Sequence, residues 1–331
     1  MAASFTMGPV LRALLDTGAG FGPLDRNANP NQRCAGLLAL ARLGADDAAL
    51  NAFIAQQDAL MQPALEVAPW PVGDAWTDGL GKAQAWAPYR DLMGQWLFYE
   101  DAGDVLRQIL PRLMQGCAGA GFAGLIRTAY ALQAQHRQEL VDALAYWASA
   151  HMALPSAHAA PGSALLGAHP ERALRRLHTV PGGGRGLGNA VQAAASDGAF
   201  LAAIALFTLE KQTVPQLSRL AAQAYAASGA PLAAQLLTST YALGVVLPFV
   251  DEDAVALVLQ DYWRAFAAVV CVAGLVNAPP PEPRSWRAIL AQVRECRDPR
   301  AICLVDSCRA LEKTYGPDPL WRQAATRALW S

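Results

Sequence analysis

Arg127 stands in Gly124-Leu125-Ile126-Arg127-Thr128-Ala129-Tyr130, a run that is otherwise apolar. A guanidinium buried there without partners is costly. It either ties helices together through carbonyls or a carboxylate, or anchors a ligand oxygen. The chain has only five histidines: His136, His151, His158, His169 and His178. His151 and His158 flank Pro155 and lack the i, i+4 spacing of a helical metal pair, so they are expected in loops or at the surface. The six cysteines, Cys34, Cys117, Cys271, Cys296, Cys303 and Cys308, form no C-x-x-C pair. They read as buried, reduced thiols of a cytosolic protein. A zinc site from Cys296, Cys303 and Cys308 would lack the close paired spacing of known zinc modules. Gly182, Gly183, Gly184, Gly186 and Gly188 neither end in Lys-Ser/Thr nor match G-x-G-x-x-G, so a connection between helices fits better than a phosphate loop. No G-x-S-x-G elbow points to serine hydrolysis. Two aromatic groups, Trp86, Tyr89, Trp96, Phe98, Tyr99 and Tyr262, Trp263, Phe266, could line a pocket for a flat, aromatic ligand. Any helical core uses the same residues.

The elements that must position these groups are helices. Trp286, Ile289, Leu290 and Val293 fall on one helical face. Val105, Ile109 and Leu113 repeat in fours, and Leu125, Ala129, Leu132 and His136 continue a similar stripe. Ala, Leu, Gln and Arg dominate and favour helix. Alternating β-branched runs are absent. About a dozen helices are expected, forming an all-α fold in a single domain over residues 1–331. Pro69–Gly81, Pro155–Pro170, Pro181–Gly188 and Asn277–Pro283 punctuate the chain as loops or linkers. No fixed-period repeat supports a solenoid.

The chain is 53% hydrophobic and only 16% charged, which predicts a large core and little spare solvated surface. With 26 basic and 27 acidic residues, no basic excess is available for a phosphate backbone, so no nucleic-acid partner is expected. Met1–Arg12 resembles neither a secretory signal nor a transit peptide. The longest apolar run, Ala265–Val276, is too short for a bilayer and is expected to be a core helix, which predicts a cytoplasmic protein without a membrane partner.

Several stretches, in order, resemble the questin oxidase-like family. Asn31-Gln32-Arg33-Cys34-Ala35 leads into an Ala/Leu-rich helix ending Leu43-Gly44-Ala45, where the family reads N-H-x-P-M. Trp76, Leu80-Gly81 and Tyr89 match its W-x-x-x-LG loop and aromatic helix. Phe122-Ala123-Gly124-Leu125-Ile126-Arg127-Thr128-Ala129-Tyr130 resembles F-H-G-L-I-R-x-x-Y. Leu144-Ala145-Tyr146-Trp147-Ala148 resembles L-A-Y-W-A. Gln235 to Leu243, with Leu247-Pro248, resembles H-x-x-T-x-x-H-A-L and L-P. Asp298-Pro299-Arg300-Ala301-Ile302-Cys303-Leu304 resembles D-x-H-A-I-K-L.

The resemblance implies a non-haem iron oxygenase of aromatic polyketides, with the metal held by the motif histidines and the late lysine. Here those positions carry Gln32, Ala123, Gln235, Tyr241, Arg300 and Cys303. Gln and Tyr are poor iron ligands and Ala is none. The expectation is therefore that no cofactor is bound and the family's iron is lost. The resemblance alone would allow a nicotinamide (NADPH) requirement, and no dinucleotide fingerprint in the chain supports one. Three functions remain open. One is an oxidoreductase on an aromatic or polycyclic metabolite, using Gln32, Gln235, Tyr241 and Cys303 where the metal was and Arg127 on a phenolate or enolate. Another is a cyclase or isomerase. The third is a non-catalytic protein that binds an aromatic small molecule. The sequence names neither the substrate nor the oligomeric state.

Overall fold

A computed structural model describes residues 7–64, 75–155, 170, 174, 186–205, 212–273 and 278–330. His158, His169 and His178 lie outside the described residues, as do most of Pro155–Pro170 and Pro181–Gly188 and the first part of Pro69–Gly81.

The described residues are overwhelmingly helical. Helix α1 (Pro9–Asp16) leads through a short strand to α2 (Arg33–Arg42) and α3 (Asp47–Leu60), and a second short strand after α3 pairs with the first as an antiparallel ribbon. The ribbon, β1 (Phe21–Asp25) with β2 (Met61–Pro63), pairs Phe21 with Pro63 and Asp25 with Met61. No alternating pattern announces it, because the strands are short and β2 is mostly exposed. Next come α4 (Trp86–Tyr99), α5 (Ala102–Met114), α6 (Ala123–Ala134) and α7 (Arg137–Ser149). The second half holds α8 (Leu187–Ala195), α9 (Gly198–Ile204), α10 (Thr213–Ser228), α11 (Pro231–Val246), α12 (Glu252–Ala273), α13 (Trp286–Val293), α14 (Pro299–Tyr315) and α15 (Pro319–Trp330).

The helix starts are written locally. Asp46, Asp101, Asp197, Ser285 and Asp298 each accept a backbone N–H of the first turn of the helix that follows, the bond that satisfies donors with no partner inside the helix. The Trp286 stripe forms α13, with Ile289 and Val293 fully buried. The stripe through Leu125 and Ala129 does not run on to His136. Gln135 turns left-handed at φ 50° and ends α6, and His136 instead caps α7, its Nδ1 accepting the Glu139 N–H at 3.1 Å. An α6–α7 hairpin results. It closes tightly because Gly124 has no side chain: a Cβ there would lie 2.6 Å from Trp147 Cβ.

Helix α6 lies at the centre, packed on α2, α7 and α11, while α14 packs on α2, α11 and α15. Tyr89, Tyr262 and Phe266 are fully buried, so most of the aromatic groups serve the core. Phe98 and Tyr99, by contrast, are 67% and 82% exposed. The apolar run at Ala265 belongs to a longer helix than its length suggested. Both Glu252–Ala273 and Pro231–Phe249 are long and apolar enough to cross a membrane, and 56% of each such window is buried inside this fold.

Candidate functional site

Two buried polar clusters are built on α6. The first is centred on Arg127. Its Nε and Nη2 donate to Glu139 Oε1 and Oε2 at 2.6 and 2.9 Å, and Asp142 lies 4.0 Å from Nη2. Asp142 also accepts from Arg90 Nε at 2.6 Å and from Gln138 at 3.1 Å. Arg90 in turn donates to the Ala19 carbonyl at 2.8 Å. Two guanidinium and two carboxylate groups thus neutralise one another among α4, α6 and α7. Burial works against the Arg127 charge, but Glu139 outweighs it and the guanidinium stays protonated. Burial, followed by Glu139, pushes the neighbouring Cys34 thiol well up. Arg127 Nη1 is enclosed and has no hydrogen-bond partner among the described residues.

The second cluster lies near the C-terminal ends of α2 and α6. The Tyr241 hydroxyl donates to Gln133 Oε1 at 2.7 Å. The Arg42 guanidinium sits over the Tyr241 ring, 5.7 Å from its centroid. Arg42 Nε faces Asp306 Oδ1 at 3.3 Å, and the Tyr130 hydroxyl reaches both Asp306 Oδ2 and the Cys303 carbonyl at 3.1 Å. Burial raises the Asp306 carboxyl against the opposing pull of Arg42. Burial also pushes the Tyr130 and Tyr241 phenols and the Cys303 thiol up. Those three groups are therefore neutral donors, and Asp306 is the one group of this cluster suited to accept a proton.

The structure brings Tyr241 and Cys303 into one cluster and keeps the other sequence candidates elsewhere. Gln32 is the buried residue preceding α2, about 15 Å of helix rise from Arg42 at the other end. Its side chain makes no capping bond. Gln235 lies toward Gly121, whose added Cβ would be 3.9 Å from Gln235 Cγ, and its Oε1 is enclosed without a partner among the described residues. Arg127 belongs to the first cluster. Ala123 opens α6 after three left-handed residues, Ala120, Gly121 and Phe122, at φ 49°, 66° and 65°.

These positions do not fit iron. Gln235 offers only a neutral amide, a weaker donor than the imidazole that the resemblance implies at that position. Tyr241 is already committed to Gln133, with its ionisation opposed by burial. Ala123 offers no donor. No group of three or more His, Cys, Asp and Glu able to hold a metal occurs among the described residues.

Sequence reasoning passed over Arg42, Gln133, Glu139, Asp142 and Asp306. The signal for Asp306 was available: a charge inside Ile302-Cys303-Leu304-Val305-Asp306 poses the same question as Arg127. Glu139 is the answer to Arg127, but its proximity depends on the turn at Gln135, which no pattern in the chain marks.

No curated protein matches the chain closely enough to count as a relative. The family model described as questin oxidase-like matches residues 31–308, the stretch that contains both clusters and every candidate position. This chain belongs to the questin oxidase-like family.

Proposed function

We propose that the chain is an oxidoreductase acting on an aromatic or polycyclic metabolite, and that it works without the iron implied for its relatives. Family membership supports the oxidoreductase class. The observation that carries the metal-free part is the donor set: Gln32, Ala123, Gln235 and Tyr241 stand where ligands would, and Tyr241 is bound to Gln133 instead. An aromatic substrate can react directly with dioxygen once deprotonated, given a general base and a pocket that excludes water. Asp306 is the group suited to take that proton, with Arg42 beside it to balance the anion. NADPH is not required by this route.

The non-catalytic or cyclase reading keeps one specific support. Arg127 Nη1 and Gln235 Oε1 are enclosed, so neither side chain presents its spare polar atom to a ligand in this conformation. The same proposal sets the protein in a reducing, cytoplasmic compartment, in keeping with six unpaired cysteines.

The test is dioxygen uptake by the purified protein with hydroxylated anthrones and anthraquinones, with and without NADPH. Uptake coupled to product supports the proposal. Product without uptake supports cyclisation or isomerisation, and binding with neither supports a non-catalytic protein.

A further inference from the structure

Two further cations lie beyond the Arg42–Asp306 pair of the second cluster. Arg42 is fixed from two sides, by Asp306 at Nε and by the face of the Tyr241 ring. The guanidinium also approaches the Tyr241 side chain, and it has no other ion pair among the described residues. The side chain keeps 19% of its surface exposed. Asp306, Arg309 and Lys313 follow at i, i+3 and i+7 on α14, one face of the helix. Arg309 and Lys313 both act electrostatically on Asp306, and neither forms an ion pair within 4.0 Å among the described residues. Arg42 thus pairs with a buried carboxylate on which two further cations of α14 also act, in a chain whose overall charge is −1.

We propose that Arg42, with Arg309 and Lys313, forms a binding site for the anionic oxygens of a ligand, a carboxylate or an equivalent oxyanion, with Tyr241 and Gln133 as its neutral wall. A guanidinium held flat by a ring and a carboxylate loses little freedom on binding, and its remaining N–H pairs match the fork of a carboxylate. Arg309, half-buried, and exposed Lys313 extend the field outward and draw the anion in. Only the flat aromatic part of the ligand rests on the oxidoreductase reading.

The experiment measures binding without turnover, using anthraquinone-2-carboxylate, its neutral carboxamide and inorganic phosphate. The carboxylate should bind at least about tenfold tighter than the amide, a factor of ten being about 1.4 kcal/mol. Phosphate should displace it. Arg42→Gln should remove the preference for the carboxylate over the amide. Arg309→Gln/Lys313→Gln, two changes outside the core, should weaken carboxylate binding several-fold and flatten its salt dependence. That double variant decides the matter if Arg42→Gln does not fold. Equal binding of carboxylate and amide, no displacement by phosphate, or a double variant with unchanged affinity and salt dependence would each overturn the site. Absence of dioxygen uptake would sink the oxidoreductase reading and leave this one standing.

Discussion

Arg127 and Glu139 face each other across the α6–α7 hairpin through two parallel hydrogen bonds of 2.6 and 2.9 Å, and both side chains are nearly fully buried. The backbone N–H of Glu139 is the one capped by His136, so the carboxylate that neutralises Arg127 is also set in place by the start of α7. Glu139→Gln keeps the shape and removes the charge, leaving Arg127 with Asp142 at 4.0 Å as its nearest remaining anion. The expected loss is about 3–5 kcal/mol in urea unfolding. Replacing both partners by methionine should cost much less than the single change, because no uncompensated charge then remains. A Glu139→Gln protein within about 0.5 kcal/mol of the parent would show that the pair is not what satisfies Arg127.

The glycines of the central helices allow a sharper comparison. At Gly124 an added Cβ would meet Trp147 Cβ at 2.6 Å and Trp147 Cα at 2.7 Å. Backbone on the facing helix must move, so Gly124→Ala should destabilise by about 1–3 kcal/mol. Gly244, inside α11, has nothing within 4 Å of the added atom. There the change to alanine should stabilise by about 0.5–1 kcal/mol through backbone entropy alone. Thermal melts of the two variants should move in opposite directions. Melts moving the same way would mean that the close approach of α6 and α7 is not as described.

Legibility followed how local each cause was. The stripe of α13 and the caps at Asp46 and Asp298 are decided within a few residues, and the all-α fold follows from many such decisions. The break at Gln135 is a left-handed turn at a residue that is not glycine, and the periodicity alone carried the stripe across it. Arg127 announced that it needed a partner without naming one, since the choice of Glu139 is made by the hairpin. Tyr241 and Cys303 share a cluster because α11 and α14 both pack beside Tyr130. Gln235 stands on another face of the same helix as Tyr241, so membership of one motif did not bring the two together.

The buried carboxylates give a pH signature of determinate sign. Burial raises the folded-state pKa of Asp306 above its ordinary value. The folded state then holds the proton more tightly than the unfolded chain. This group's contribution is fully present below the unfolded pKa, about 4, and is lost as pH rises through the folded value. Asp306→Asn removes the titration. The stability of the parent relative to this variant should therefore be greatest in acid and should decline as pH rises above about 4. Urea unfolding of both proteins across that range measures it. A difference that grows with pH would mean that Arg42 outweighs burial and holds Asp306 ionised.

The strongest prediction concerns iron. A ligand that binds only the folded state raises its melting temperature, by an amount set by concentration over affinity. A relative with a complete iron site should therefore lose stability on chelation and regain it on adding ferrous ion. In this chain Tyr241 is occupied by Gln133, Ala123 has no donor atom, and Gln235 offers only a neutral amide. Dialysis against a chelator should leave the melting temperature unchanged, ferrous ion under anaerobic conditions should not raise it, and elemental analysis should find iron far below one equivalent per chain. The two readouts fail differently. Stoichiometric iron with no effect on stability would point to loose surface binding. Stoichiometric iron together with a raised melting temperature, lost on changing residue 32, 235 or 241, would place a metal where no adequate donors have been identified. It would restore the metal-dependent oxygenase reading.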